Sequence, residues 1–225
     1  MKLVHPEINF HIQLPEGELV AFVIENPKAF YRYSRELYEQ ANGSDGAFVL
    51  SEDGEVLKLN KLLSFLPDPF AIDINQRQIL NKVYSMLQEE IVTGKEQERF
   101  FTINQQLLQL IDNASSSFPF PLCCDDIADI SVLFKAMNVA LYQEEGLSFV
   151  EQLIDYIKIS SQLLSRRVFV FHHMQDYVET DHWEHLEKVA SHTKTTLVFL
   201  EKSTNSWYNN YHGKYIIDKD LCEVF

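Results

Sequence analysis

Positive charge is scarce in this sequence: 19 Lys and Arg stand against 33 Asp and Glu, a net charge of −14 over 225 residues. Neutralising phosphates takes cations, so such a chain does not coat nucleic acid over its whole surface. It can hold nucleic acid only if its few cations gather on one surface or a metal ion assists. Cysteine is nearly absent as well. Cys123 and Cys124 are adjacent, Cys222 is far away, and no C-x-x-C spacing exists. That argues against a disulfide framework or a thiolate zinc site and leaves reduced thiols. No apolar run approaches the roughly 20 residues that cross a bilayer. The opening stretch MKLVHPEINF breaks its apolar residues with His5, Pro6 and Glu7, which no signal peptide does. A cytoplasmic protein without membrane attachment is expected. Repeats and low-complexity tracts are also missing.

What is present is an ordinary folding composition, 46% apolar and 23% charged. Residues 19–24, Leu-Val-Ala-Phe-Val-Ile, form a continuous apolar run, the mark of a strand covered on both faces. Asn26-Pro27 follows as a helix N-cap with proline at the first helical position, and Asn42-Gly43 closes that helix. Asp53-Gly54, between Ala47–Leu50 and Val56–Leu59, reads as a hairpin turn. Ile79, Leu80, Val83, Met86, Leu87 and Ile91 recur at helical spacing, as do Phe100, Ile103, Leu107 and Ile111. A third helix is expected over about Asp125–Met137 and a short extended piece over Val139–Tyr142. Ser148 and Glu151 form a capping box that opens a further helix. Val168–Phe171 and Thr196–Leu200 are buried runs joined by a helix, hence a parallel βαβ unit. Asp181 with Glu184 reads as the capping box of that connecting helix, and Tyr215–Ile217 as one more strand. The expected fold is α/β: a head built from residues 1–72 and 166–225, with a helical leg over 73–165 inserted between them.

The first strand-to-helix turn is where such a head binds phosphate. Here it reads Ile24-Glu25-Asn26-Pro27-Lys28-Ala29-Phe30, without the glycines that let backbone N–H groups converge. Glu25 would repel phosphate, and the only Gly-Lys pairs, Gly94-Lys95 and Gly213-Lys214, lack an upstream glycine and a following Ser or Thr. His172 and His173 follow the Val168–Phe171 strand where a magnesium-holding Asp would stand. The layout of a nucleotide-binding head is present without its chemistry, so no bound nucleotide is expected. A G-x-S-x-G elbow is missing too, against a serine hydrolase. His182 and His185 share a helix face at a spacing that could ligate zinc, but solvated helix histidines account for them as well. Lys28, Arg32 and Arg35 lie on one helical stripe, where Glu25, Glu36 and Glu39 can pair with them as a solvated face. The leg adds Arg77, Lys82, Lys95, Arg99, Lys135 and Lys158, scattered singly; repetition around a symmetric oligomer would gather them into a positive ring. Asp125, Asp126 and Asp129 offer oxygen ligands of the kind calcium takes, but no EF-hand pattern is present; the residues alone favour the reading in which Asp126 and Asp129 stabilise a helix N-terminus through its dipole.

The C-terminal third carries a recognisable pattern. Arg166-Arg167-Val168-Phe169-Val170-Phe171 leads through Tyr177 to Thr195-Thr196-Leu197-Val198-Phe199-Leu200-Glu201, and Tyr215-Ile216-Ile217-Asp218-Lys219-Asp220 follows. Together with Asp126-Ile127 and Phe134-Lys135-Ala136-Met137-Asn138-Val139, it resembles the short Csn-two proteins of type II-A CRISPR systems. The resemblance implies a P-loop-NTPase-like head whose phosphate loop is degenerate, plus a helical leg. It implies a ring-shaped homotetramer that holds double-stranded DNA by its ends without catalysis, with calcium supporting assembly. The implied role is spacer acquisition in antiviral defence, beside the CRISPR integrase and the RNA-guided nuclease of the locus. Lys135, Lys28, Lys82, Lys95, Arg99 and Lys158 would meet DNA, and Asp125, Asp126 and Asp129 would hold calcium. Two other functions fit the same residues: a nucleotide-binding kinase or NTPase with an unusual phosphate loop, and a structural adaptor that docks proteins through its helices.

Overall fold

The structure is a computed structural model and describes residues 1–203 and 211–224. Its elements run in the order β1 (Lys2–Val4), β2 (Ile12–Gln13), β3 (Leu19–Ile24), α1 (Pro27–Ala41), β4 (Val49–Glu52), β5 (Glu55–Leu57), α2 (Leu59–Leu62) and β6 (Leu63–Leu66). Three helices follow, α3 (Arg77–Val92), α4 (Gln97–Ser115) and α5 (Ile130–Ala136). Then come α6 (Phe149–Leu164), β7 (Val168–His172), α7 (Trp183–Thr193), β8 (Thr196–Glu201), β9 (Gly213–Ile217) and β10 (Glu223–Val224). The chain divides into two compact units: Met1–Ile74 with the chain from Gln143 onward, and Asn75–Tyr142.

The first unit is an α/β head on a six-stranded sheet of order β10-β9-β3-β8-β7-β6. All neighbours are parallel except β10, which runs antiparallel to β9. Strands covered on both faces read as near-continuous apolar runs; every residue of β3 and β8 is buried, with Thr196 and Glu201 the polar ends of β8. Phe22, Phe169, Phe171 and Phe199 are essentially inaccessible, each contributing roughly 1.5–3 kcal/mol of burial. A smaller antiparallel sheet, β2-β1-β4-β5, shares this core through Leu3, Ile12 and Leu50. Its β4–β5 hairpin turns on Asp53 (φ 50°) and Gly54 (φ 88°), two left-handed residues that suit the twist of the strands. Arg167 donates to both carboxylate oxygens of Glu52 (2.7 and 2.8 Å) and to Glu16 (2.6 Å). Those hydrogen bonds hold the Glu52 carboxyl below its usual range.

Helix α6 lies in the head unit, whereas the sequence pattern had assigned residues up to 165 to the leg. The physical reason is visible in its side chains. Leu153 and Ile157 are fully buried, Tyr156 packs edge-on against Phe169 of β7 (6.1 Å), and the Tyr156 hydroxyl meets Ser64 Oγ at 2.9 Å. The Ser148–Glu151 capping box forms as the sequence indicates. The second expected box does not: α7 starts at Trp183, and its N-cap, His182, makes no side-chain capping bond. Asp181 lies one turn earlier in a 3-10 turn, Thr180–His182.

The helical unit packs α3 against α4 and α5 around Tyr84, Phe100, Ile130 and Phe134. Helix α5 covers only Ile130–Ala136 of the expected 125–137, because Asn104 seizes the preceding backbone through Asp126 O (2.7 Å) and Ala128 N (2.9 Å). Residues 139–142 belong to no helix or strand; Asn75 clamps Leu141 from both sides (3.1 and 2.8 Å), and the Tyr84 hydroxyl donates to Val139 O (2.7 Å). No helix among the described residues is long and apolar enough to cross a membrane.

Candidate functional site

In a parallel α/β sheet the loops at the carboxyl ends of the strands form the binding edge. Here that edge brings together Glu25–Lys28 after β3, His172 and His173 at the end of β7, Glu201 and Lys202 at the end of β8, and Asp218 after β9. The start of α1 decides what the edge can bind. A helix begins with N–H groups that have no partner inside it, and these are what a phosphate would engage. Asn26 Oδ1 accepts from Lys28 N and Ala29 N (both 3.1 Å), and Asn26 O accepts from Phe30 N (2.8 Å). Residue 27 is proline and has no N–H. The helix start is therefore filled by the chain itself. Asn26 is fixed in turn by donation from Nδ2 to Lys219 O (2.9 Å), and Glu25 N donates to Ile217 O (2.8 Å).

Beside this turn lies a cavity of about 410 Å³ in which Lys28 and Arg32 face Glu7 and Glu223. Its charges are largely satisfied. Arg32 bonds Glu7 and the Tyr33 hydroxyl, and Glu223 accepts from Asn9 N (3.0 Å) and Phe10 N (3.2 Å). Further along the same helix Arg35 pairs with Glu39 (2.8 Å), as the solvated-face reading of this stripe expected. Glu36 instead takes Ala47 N (2.6 Å) and lies 3.4 Å from the buried His5.

The two histidines standing where a magnesium ligand would be are held by other partners. His172 Nδ1 sits 3.0 Å from Pro67 O, and burial pushes the pKa of this imidazole down. His173 has a left-handed backbone (φ 57°), and its Nδ1 is 3.3 Å from the buried Glu201 carboxylate, which also accepts from Gln175 N (3.0 Å).

The sequence-derived cations fall on both units. Lys28 is on α1 and Lys158 on α6, in the head; Lys82 is on α3, Lys95 between α3 and α4, Arg99 on α4 and Lys135 in the last turn of α5, in the helical unit. All six are exposed. Arg99 lies 3.7 Å from Glu96, while none of the five lysines has a carboxylate within 4.0 Å among the described residues. The helical unit holds five Lys and Arg against eight Asp and Glu, so most of the excess negative charge lies in the head. It also exposes apolar side chains that a solvated helix would not. Ile103, Leu107, Leu110 and Ile111 form a stripe on α4, and Val132 and Leu133 stand out on α5. Part of that stripe lines a groove of about 340 Å³ with Ile91, Phe100 and Ile130.

Asp125, Asp126 and Asp129 do not converge into one ligand set. Asp129 caps α5 by accepting from Ser131 N (2.9 Å), and hydrogen bonding from Ser131 lowers its pKa. Among the described residues the one group of three with ligand atoms within 4.8 Å is Glu179, Asp181 and His182. Sequence reasoning passed over it by looking for partners of His182 three residues ahead, at His185, whose ring centroid lies 6.0 Å away. The signal was the local string Glu-Thr-Asp-His.

An α/β head whose phosphate position is filled by its own cap, joined to a separate helical unit, defines the class. The family of CRISPR-associated proteins described as "CRISPR-associated protein (Cas_Csn2)" matches residues 40–221, from the end of α1 to the loop before β10. The chain belongs to that family and has a CRISPR-associated role. No curated protein matches it. Among solved structures it is similar to a nucleotide-free ATP-binding cassette from an ABC transporter (9% identity, 99% of this chain and 91% of that one, TM-score 0.47). It is also similar to an ATP-binding cassette of an ABC transporter in its ADP conformation (10% identity, 95% and 82%, TM-score 0.46). A third is a putative ABC transporter ATP-binding protein from Pyrococcus furiosus (11% identity, 96% and 97%, TM-score 0.40).

Proposed function

We propose that the protein holds double-stranded DNA by its ends, as a ring-shaped homotetramer and without catalysing a reaction. In this role it assists CRISPR spacer acquisition beside the integrase complex and the RNA-guided nuclease of its locus. The observation that carries the reading is on the helical unit. An exposed apolar stripe on α4 and α5 suits contact with further copies, and Lys82, Lys95 and Lys135 on the same unit have no carboxylate partner within 4.0 Å. Assembly multiplies those cations about a symmetry axis, which is how a chain of net charge −14 gathers a positive surface. The self-capped start of α1 supports the absence of a nucleotide. A single chain does not bring Asp125, Asp126 and Asp129 together, so calcium enters this reading as an ion whose ligands are completed by a second copy.

Contacts confined to phosphates give binding without sequence preference and with a steep salt dependence. The test measures affinity for linear and closed circular duplex over a salt series, with solution mass determined with and without calcium. Linear duplex should be preferred, and Lys135→Glu should weaken all sequences alike. A monomer at every calcium concentration, or no binding to linear duplex at low salt, refutes the reading. Saturable ATP binding in a calorimetric titration contradicts the filled phosphate position.

A further inference from the structure

On the outward side of α1, at the carboxyl ends of β6, β7 and β8, lies a groove of about 410 Å³. Its walls are aromatic. Tyr31 and Tyr38 are seven residues apart on one helix face, 65% and 42% exposed. Phe65 on β6 meets Tyr38 edge-on at 5.6 Å, and His172 stacks on Phe30 at 5.1 Å with an interplanar angle of 28°. Although the chain has 33 acidic residues, none of those lining the groove is acidic. Two cations border it. Arg35 is engaged by Glu39, but Lys202, whose Nζ sits 5.0 Å above the Phe30 ring, has no carboxylate within 4.0 Å among the described residues.

Two polar atoms of the lining can take hydrogen bonds. Ser34 is 7% exposed, and its Oγ is buried with no partner, a state that a native structure seldom leaves unexplained. Pro67 O is an acceptor only, so His172 Nδ1 carries the proton facing it, and Nε2 of the neutral ring is left as an acceptor.

We propose that this groove binds an unpaired nucleotide of a single-stranded nucleic acid, with the base stacked among Tyr31, Tyr38 and Phe65 and its phosphate at Lys202. Stacking on aromatic faces tolerates any base, while Ser34 and His172 offer partners for polar atoms on the base edge. A free small ligand is normally enclosed over roughly 70–90% of its surface. Walls as exposed as Tyr31 and Tyr38 do not enclose one, whereas a strand is held at several points and needs no enclosure. A proline-rich peptide would meet the same rings but would leave Lys202 without a counter-charge. The proposal stands apart from the duplex-binding reading, and none of the residues lining the groove is among those assigned to duplex DNA.

The test is fluorescence anisotropy of a dye-labelled oligothymidylate of about ten nucleotides, titrated with the full chain at low salt. Saturable binding is expected. Tyr31→Ala with Tyr38→Ala should weaken it on the order of 10- to 100-fold. Lys202→Gln should weaken it several-fold and lower the slope against log salt by about 0.7. Affinity for blunt duplex should not change in either variant, so failure of this proposal and failure of the duplex reading are separable. Both tyrosines lie on an exposed helical face where alanine is favoured, and an unchanged circular dichroism melt verifies folding. No binding of the oligonucleotide, or equal binding by the variants, overturns the proposal. So does thymidine monophosphate competing as strongly as the oligonucleotide, or loss of binding together with a change in solution mass, which would make this face an interface between copies.

Discussion

Replacing Asn26 by alanine tests whether the helix start is filled by the chain itself. The substitution removes one acceptor and one donor. Lys28 N and Ala29 N both lose Oδ1, and Lys219 O loses Nδ2. Phe30 N keeps its bond, because it donates to the Asn26 backbone carbonyl. Lys28 is exposed, so its N–H turns to water at little cost, but Ala29 is buried and its N–H has less access to a substitute. Loss of such a cap costs about 0.5–2 kcal/mol. The part-buried donor at Ala29 places Asn26→Ala in the upper half of that range, about 1–2 kcal/mol. In a chain of this size 1 kcal/mol moves the melting temperature by roughly 2–4 °C, so a fall of about 2–8 °C is expected in a thermal melt, with urea unfolding as the second measure. Asn26→Asp retains the acceptor and adds a charge that the helix dipole favours, but it turns a second oxygen toward Lys219 O and should recover only part of the loss. If Asn26→Ala leaves stability within about 0.5 kcal/mol of the parent, the helix start has another partner. The argument that the phosphate position is self-occupied then fails.

Two further perturbations read other parts of the head. Tyr156→Phe leaves Ser64 Oγ, 9% exposed as a residue, without its 2.9 Å partner and should cost about 1–2 kcal/mol in urea unfolding; a neutral result would show that this hydroxyl pair does not fasten α6 to the sheet. His172 gives a pH dependence: burial depresses its folded pKa below the ordinary 6.5, so its contribution is fully present above pH 6.5 and falls as pH drops toward the folded value. His172→Gln should flatten the decline in urea midpoint between pH 7 and about pH 5.5, and an unchanged slope would assign that decline to other groups.

The head was legible in the sequence where local chemistry and periodicity coincide. The apolar runs of β3, β7 and β8, the Asn26-Pro27 start of α1 and the Asp53-Gly54 hairpin all follow from residue types whose preferences are strong. Strands β1, β2, β6 and β10 were not, because they are two to four residues long and are defined by their neighbours rather than by their own pattern. The place of α6 was hidden for a related reason. An amphipathic pattern says that a face is buried without saying against what, and Tyr156 finds Ser64 across 92 residues of sequence. Of the candidate site, the missing glycines were readable, but the closing of the phosphate position by three N–H bonds to Asn26 was not. The aromatic groove was equally invisible, since Tyr31, Tyr38, Phe65 and Lys202 come from three separated segments.

The position of β3 also bears on how the chain is made. Its two neighbours, β8 and β9, begin at residues 196 and 213, so the central strand has nothing to pair with until most of the polypeptide has been synthesised. Synthesis proceeds at about 5–20 residues per second, so β3 waits on the order of ten seconds or more with both of its hydrogen-bonding edges unpaired. The helical unit, continuous from Asn75 to Tyr142, needs no such delay and can gather its own contacts first. Folding from the ribosome should thus run from the middle of the chain outward, with the head closing last and Leu19–Ile24 the stretch most in need of a chaperone meanwhile.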